Sequence, residues 1–98
     1  LTLSEQAAQN TTQYYQADAQ AQVYIATLRD FIEAQEDYAL WAEQNGFVCE
    51  TQNGVSYVSF VVPMGQARQL YVKLALVPTP SGVTIDPLVW QTQMIQSN

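Results

Sequence analysis

Few residues of this chain could carry out chemistry. Its 98 residues include nine acidic side chains, three basic ones, one cysteine and no histidine. Because histidine is the commonest general base near neutral pH, its absence removes the usual Cys-His and other histidine-based catalytic pairs. The sequence also contains no phosphate-binding loop, dinucleotide fingerprint or nucleophile elbow. We therefore expect no catalytic residue, no cofactor-binding residue and no enzymatic activity.

The densest group of charged side chains is acidic and lies in residues 30–43. Asp30, Glu33 and Asp37 share one face of a predicted helix, a spacing that could attract a divalent cation. A calcium site would also need a glycine turn or a loop of backbone carbonyls, and neither accompanies these carboxylates. The pattern is typical of a solvated acidic surface, so we predict no metal site.

Cys49 is the only thiol in the chain. A single cysteine cannot form an internal disulfide, and without histidine it cannot join a Cys/His metal site. Its neighbours Phe47 and Val48 belong to a predicted strand. We therefore expect Cys49 to be a small buried core residue.

The charge balance argues against anionic partners. The formal net charge is −6, and the three cations Arg29, Arg68 and Lys73 are scattered along the chain. Binding to nucleic acid or to anionic lipid requires clustered Lys or Arg side chains. We therefore predict no nucleic-acid partner, and any charged partner should be basic.

A long amphipathic helix is the main organising element of the sequence. Apolar residues recur at steps of three and four throughout residues 3–44, as on one face of a helix, and Asn45-Gly46 is a helix stop. The triplet Asn10-Thr11-Thr12 has poor helix propensity, so we expect a break there. We predict a single domain, 1–98, in which residues 1–22 are a helical extension that can project and 23–98 form a helix-on-sheet globule.

The sequence after Gly46 is typical of strands and turns. Strands are predicted at 47–51, 55–62 and 69–77, and Asn53-Gly54 favours a type I′ hairpin turn between the first two. Alternate residues of the second and third strands are apolar and should share a buried face toward the helix: Val58, Phe60, Val62, Leu70, Val72, Leu74 and Leu76. A short strand at 83–85 should stop at Asp86-Pro87, while residues 88–98 fit a helix, an edge strand or an extended tail. The predicted fold class is α+β: a long N-terminal helix packed on a three- to four-stranded antiparallel β-meander, in two layers.

Protein–protein contact is the function that the composition favours. Only 12% of residues are charged, and aromatic and uncharged polar side chains are abundant. Such surfaces supply contact area at low entropic cost. Small residues also let helices approach closely, so we predict binding or self-association through the N-terminal helix, at Tyr14, Tyr15, Ala17 and Ala21. The same spacing also fits packing of this helix within the chain alone.

The Ala/Gln-rich helix of residues 4–44 followed by strands over 47–85 resembles the exported domains of type IV pilus and type II secretion proteins. The resemblance is architectural. It implies a non-enzymatic structural or assembly component of such an apparatus, either a pilin-like subunit or a PilM-type pilus accessory protein.

The location follows from the same expectation. The chain begins at Leu1 without an initiator methionine, and no apolar run of about 18 residues occurs in it. We expect a segment upstream of Leu1 to supply the membrane anchor or export signal. The protein would then be periplasmic or extracellular, and membrane-anchored in its full-length form.

An alternative function uses the sheet rather than the helix. The protein would be a soluble exported binding module that recognises a peptide or a small apolar ligand on its sheet face. A concave pocket opposite the helix, lined by Tyr57 and Tyr71, would favour this alternative.

Overall fold

Two helices precede four strands in the computed structural model, which describes residues 1–96. The sheet is fully antiparallel, and its spatial order β1-β2-β3-β4 follows the chain. The predicted two-layer α+β meander is confirmed. The elements are α1 (Leu3–Glu33), α2 (Ala39–Gln44), β1 (Val48–Gln52), β2 (Val55–Met64), β3 (Arg68–Thr79) and β4 (Gly82–Met94).

The first helix is continuous for 31 residues. The Thr2 hydroxyl caps its start by accepting a hydrogen bond from the Glu5 N–H at 3.1 Å. The predicted break at Asn10-Thr11-Thr12 is wrong. The Thr11 hydroxyl donates to the Ala7 carbonyl at 3.0 Å, and the Asn10 side chain accepts from Gln6 at 3.1 Å, so both groups are satisfied without interrupting the helix.

The helix ends eleven residues before the predicted stop, at Glu33 rather than Gln44. Gln35 adopts a left-handed backbone with φ of 56°. The Glu36 N–H bonds to the Phe31 carbonyl at 2.9 Å, and the Gln35 N–H bonds to the Ile32 carbonyl at 3.1 Å. These two bonds form a Schellman cap, whose left-handed residue is usually glycine, so the sequence carries little signal for it.

The strands confirm most of the predicted alternation. Asn53 and Gly54 both have positive φ, of 54° and 78°, as a type I′ turn requires. Alternate residues of β2 and β3 face α1 and are buried, as predicted. These residues are Val58, Phe60, Val62, Leu70, Val72, Leu74 and Leu76.

The last strand is longer than predicted. Asp86-Pro87 does not stop it, because β4 runs from Gly82 to Met94 as an edge strand, one of the three alternatives for this region. Lys73 pairs with Val89 and Leu74 with Pro87, which leaves Leu88 as an extra residue in β4. Proline is tolerated at such a bulge in an edge strand. The predictions for residues 97 and 98 lie outside the described part of the chain.

One core joins α1 to the sheet. α1 packs across β2 and β3 through Ala17, Ala21, Ile25 and Leu28, which are all buried. The predicted boundary at residue 22 is therefore wrong, because Ala17 and Ala21 belong to the same core as Leu28. Val23, between Ala21 and Ile25 in the sequence, is exposed. The helix-on-sheet unit thus begins well before residue 23.

Aromatic rings close the end of the core near α2. The Phe47 and Phe60 rings stack with their centroids 4.7 Å apart, and Tyr24 meets both rings edge-on. Trp41 of α2 contacts Phe47 with a 5.1 Å centroid separation. The short helix therefore folds back after the Schellman cap to cover this end of the sheet.

Candidate interaction surface

The four residues predicted to make contacts lie on different sides of α1. Ala17 and Ala21 point into the core and are 2% and 0% exposed, so no partner can reach them. Tyr14 packs partly against the core and meets Tyr15 edge-on, with centroids 5.8 Å apart. Tyr15 is 66% exposed. Of the four, Tyr15 is therefore the one best placed to contact another molecule.

The small side chains at 17 and 21 have an internal role. They allow α1 to lie close to the sheet, much as they would have allowed a neighbouring helix to approach. Helical periodicity identifies such a stripe but does not say which surface it meets. In the structure, Ala17 and Ala21 of this stripe meet the sheet of the same chain.

The opposite side of the helix presents an uncharged surface along its middle. Residues two positions before the core-facing ones lie about 200° around the helix axis and so point to solvent. These are Ala8, Thr12, Tyr15, Ala19, Val23 and Ala26, which we call the outer helix face, and all six are exposed. It offers a tyrosine anchor among small side chains, and none of its six residues is charged.

Arg68 fastens the first part of α1 to the sheet. Its guanidinium donates to the side-chain oxygens of Asn10, at 3.1 Å, and Gln13, at 3.0 Å. In the β2–β3 turn, Gly65 has φ of 72°, and a Cβ there would lie 2.9 Å from the Gln13 side chain. These contacts surround a depression of about 390 Å³ whose walls are both polar and apolar. Because amide oxygens already bind Arg68, we interpret the cluster as a clamp within the fold.

The face of the sheet away from α1 is open, and we call it the outer sheet face. Tyr57 and Tyr71 are half-buried on it, and the Lys73 ammonium lies 5.2 Å from the centroid of the Tyr57 ring. Neither tyrosine lines any of the four main depressions of the described surface. The pocket that the binding-module alternative called for is not among them.

The thiol lies at the edge of the sheet rather than in the core. Cys49 is exposed in β1, which contradicts the predicted burial. It pairs with Val58, so its side chain points to the helix side of the sheet. Partial burial raises the pKa of the Cys49 thiol above its ordinary value, and the Asp37 carboxylate raises it further. Both effects favour the protonated thiol, the opposite of what a nucleophile needs.

Tyr38 shares this environment. Burial raises the pKa of the Tyr38 hydroxyl, a hydrogen bond with Ser56 lowers it, and nearby Cys49 and Asp37 raise it again. The Asp37 carboxylate also accepts the Ala39 N–H at 2.9 Å at the start of α2. In residues 1–96, no group of three or more Cys, Asp or Glu side chains is placed to hold a metal ion.

Within residues 1–96, neither helix combines the length and the apolarity that crossing a bilayer demands.

The chain was also compared with known proteins. No protein-family model matches it, and neither does any curated protein or solved structure.

Proposed function

We propose that this protein is a non-enzymatic structural or assembly component of a bacterial type IV pilus or secretion apparatus, and that the outer helix face makes the assembly contact. One observation carries the proposal: the middle of α1 is buried on one side and exposes an uncharged surface on the other. At about 1.5 Å per residue, the outer helix face extends for about 27 Å from Ala8 to Ala26. It could therefore run alongside several turns of a neighbouring helix.

The chemistry of this face suits contact with another helix. Its three alanines let a neighbour approach closely, Thr12 can hydrogen-bond to a polar side chain, and Tyr15 supplies large contact area. None of the six residues of the outer helix face is charged, although the chain as a whole is strongly acidic. The proposed periplasmic or extracellular location, with a membrane anchor upstream of Leu1, would hold this helix beside those of neighbouring subunits.

A second candidate is a binding module for a peptide or a small apolar ligand. It is favoured by the uncovered Tyr57 and Tyr71 rings and by the Lys73 ammonium over Tyr57. A flat aromatic surface of this kind suits an extended peptide better than a small ligand, because a small ligand needs enclosure. The two candidates therefore place the partner on opposite sides of the molecule.

Site-specific cross-linking in the producing cell separates them. A photoreactive phenylalanine analogue is placed at Tyr15 in one variant and at Tyr57 in another, and irradiated products are identified by mass spectrometry. We expect adducts from position 15 that contain subunits of the pilus or secretion apparatus. The variant at position 57 is the matched control, because it too replaces a tyrosine on a surface that stays accessible.

Two outcomes would count against the proposal. Adducts formed only from position 57 would favour the binding module. Adducts from position 15 that contain no subunit of such an apparatus would retain the outer helix face as a binding surface but reject the assignment to a pilus or secretion machine.

A further inference from the structure

The free edge of β4 is the second surface of the molecule that is suited to association. Its C-terminal half carries exposed apolar side chains, with Leu88 54% and Met94 67% exposed, followed by Ile95. No charged residue occurs from Pro87 to the end of the chain. Natural edge strands are commonly protected by charges, prolines or bulges. Here the proline and the bulge protect only the beginning of this half.

The backbone of this segment is directed outwards at alternate residues. The Ile95 N–H bonds to the Ala67 carbonyl at 2.8 Å and therefore points toward β3. Since successive residues of a strand direct their N–H and C=O groups to opposite sides, the groups of Trp90, Thr92 and Met94 point away from the sheet. Within residues 1–96, these outward groups have no backbone partner and form a hydrogen-bonding edge.

Their side chains share the helix side of the sheet. Trp90 pairs with the buried Val72 of β3, and Met94 pairs with Arg68 of the same strand. α1 lies over β2 and β3, so this end of β4 forms an apolar margin beside it. Trp90 reaches the core from this margin, while Met94 remains exposed.

We propose that a second copy of this chain pairs with β4 antiparallel, about a two-fold axis at Thr92, to join two sheets into one of eight strands. In this register Thr92 faces Thr92 of the second copy. On the helix side, Trp90 of each copy faces Met94 of the other. On the outer side Val89 faces Ile95, and Gln91 faces Gln93. Every apolar side chain from 89 to 95 therefore meets an apolar partner, and each amide meets an amide.

Neighbouring registers lose this match. An axis at Gln91 would place Val89 opposite Gln93 and Trp90 opposite Thr92, so apolar side chains would face polar ones. An axis at Trp90 would bring Asp86 opposite Met94. The axis at Thr92 also keeps Pro87, which cannot donate a backbone hydrogen bond, outside the residues 88–96 that pair.

The match of side chains about Thr92 selects a second copy as the occupant, and the charge distribution permits it. Each chain carries a formal charge of −6, so most surfaces of two copies repel one another. Residues 87–96 carry no charged side chain at this sheet edge, whereas β1 carries Glu50 at the other edge. Two copies can thus approach through β4 without opposing like charges. This inference does not depend on the proposed function, which uses the outer helix face.

Sedimentation equilibrium of the chain tests the pairing. We expect a monomer–dimer equilibrium that Thr92→Lys weakens about tenfold or more, because two lysines would face each other at the axis. Thr84→Lys is the matched control, since it makes the same charge change at an exposed threonine of β4 outside the paired segment. Thermal unfolding of both variants checks that the fold is kept.

A cross-link tests the register independently. In a Cys49→Ser background, Thr92→Cys should form an intermolecular disulfide, because Cα atoms of a directly opposed hydrogen-bonded pair lie about 5.5 Å apart, within disulfide range. Gln91→Cys should form little, since position 91 faces position 93. A monomer at all concentrations, a dimer indifferent to Thr92→Lys, open-ended association, or more disulfide from position 91 than from 92 would each overturn the proposal.

Discussion

At the scale of single residues, Cys49 shows how one wrong assumption about burial changes the expected chemistry. Its apolar neighbours in sequence predicted a core position, but β1 is an edge strand of five residues, and its helix side is only partly covered. The thiol therefore remains accessible while partial burial and Asp37 raise its pKa. Reactivity is then limited by protonation of the thiol rather than by access to it.

We predict that alkylation of Cys49 by iodoacetamide has a higher apparent pKa in the folded protein than in urea. Asp37→Asn should lower this pKa part of the way, because the carboxylate is the smaller of the two causes and burial remains. Asparagine keeps an oxygen that can accept the Ala39 N–H, so α2 should be retained. Glu36→Gln is the control and should leave the pH profile unchanged.

The same shift has a consequence for stability. Because the folded pKa of the thiol is raised, its contribution to stability is present below the unfolded pKa and is lost as the pH rises through the folded pKa. An equal pKa in folded and unfolded protein would show that the Asp37–Cys49 environment does not form.

At the scale of elements, the ends of α1 carry an unbalanced charge pattern. The first turn holds Glu5, which suits the positive end of the helix dipole, but the last turn holds no basic residue and contains Asp30 and Glu33. Glu5 also accepts a hydrogen bond from the Thr2 hydroxyl at 3.0 Å. The N-terminus is therefore well capped, and the C-terminus is left with repulsion between like charges.

Reversing charge at the two ends should change stability in opposite directions. We expect Glu33→Lys to raise the free energy of unfolding by about 0.5 kcal/mol. Glu5→Lys should lower it by about 1 kcal/mol, because the carboxylate loses its favourable interaction with the helix dipole and its hydrogen bond from the Thr2 hydroxyl. Urea unfolding at low salt measures both. Each variant changes the net charge equally, so effects of the same sign would show that total charge, rather than position on α1, controls stability.

Elements were more predictable from the sequence than the contacts between them. Alternation identified β2 and β3 and the residues they bury, and Asn53-Gly54 identified the first hairpin, because each signal is local. The end of α1 was missed because a non-glycine residue, Gln35, takes the left-handed cap position. The length of β4 was missed because a bulge accommodates Pro87, and a bulge depends on pairing with β3.

At the scale of the whole molecule, the long helix makes the protein elongated. The Cα radius of gyration is 15.5 Å, compared with about 12.6 Å expected for a compact domain of this length. The candidate surfaces were harder to predict than the elements because each depends on this assembly. The outer helix face becomes recognisable only once Ala17 and Ala21 are seen in the core, and the β4 edge only once the strand order is known.

The overall charge should govern how readily two copies meet through β4. Two chains of formal charge −6 repel at long range, while the proposed interface contains no charge of its own. The screening length falls from about 30 Å at 0.01 M salt to about 10 Å at 0.1 M. Raising NaCl from about 0.01 to about 0.3 M should therefore tighten the dimer about tenfold, as measured by sedimentation equilibrium.

A charge-reduced variant separates screening from other effects of salt. Glu43→Gln with Glu50→Gln removes two carboxylates at the β1 side of the sheet and changes the formal charge from −6 to −4. This variant should dimerise more tightly than the original chain at about 0.01 M salt and equally well at about 0.3 M, because screening then hides the difference. A dimer that weakens as salt rises would instead require ion pairs across the interface, which the charge-free β4 segment cannot provide.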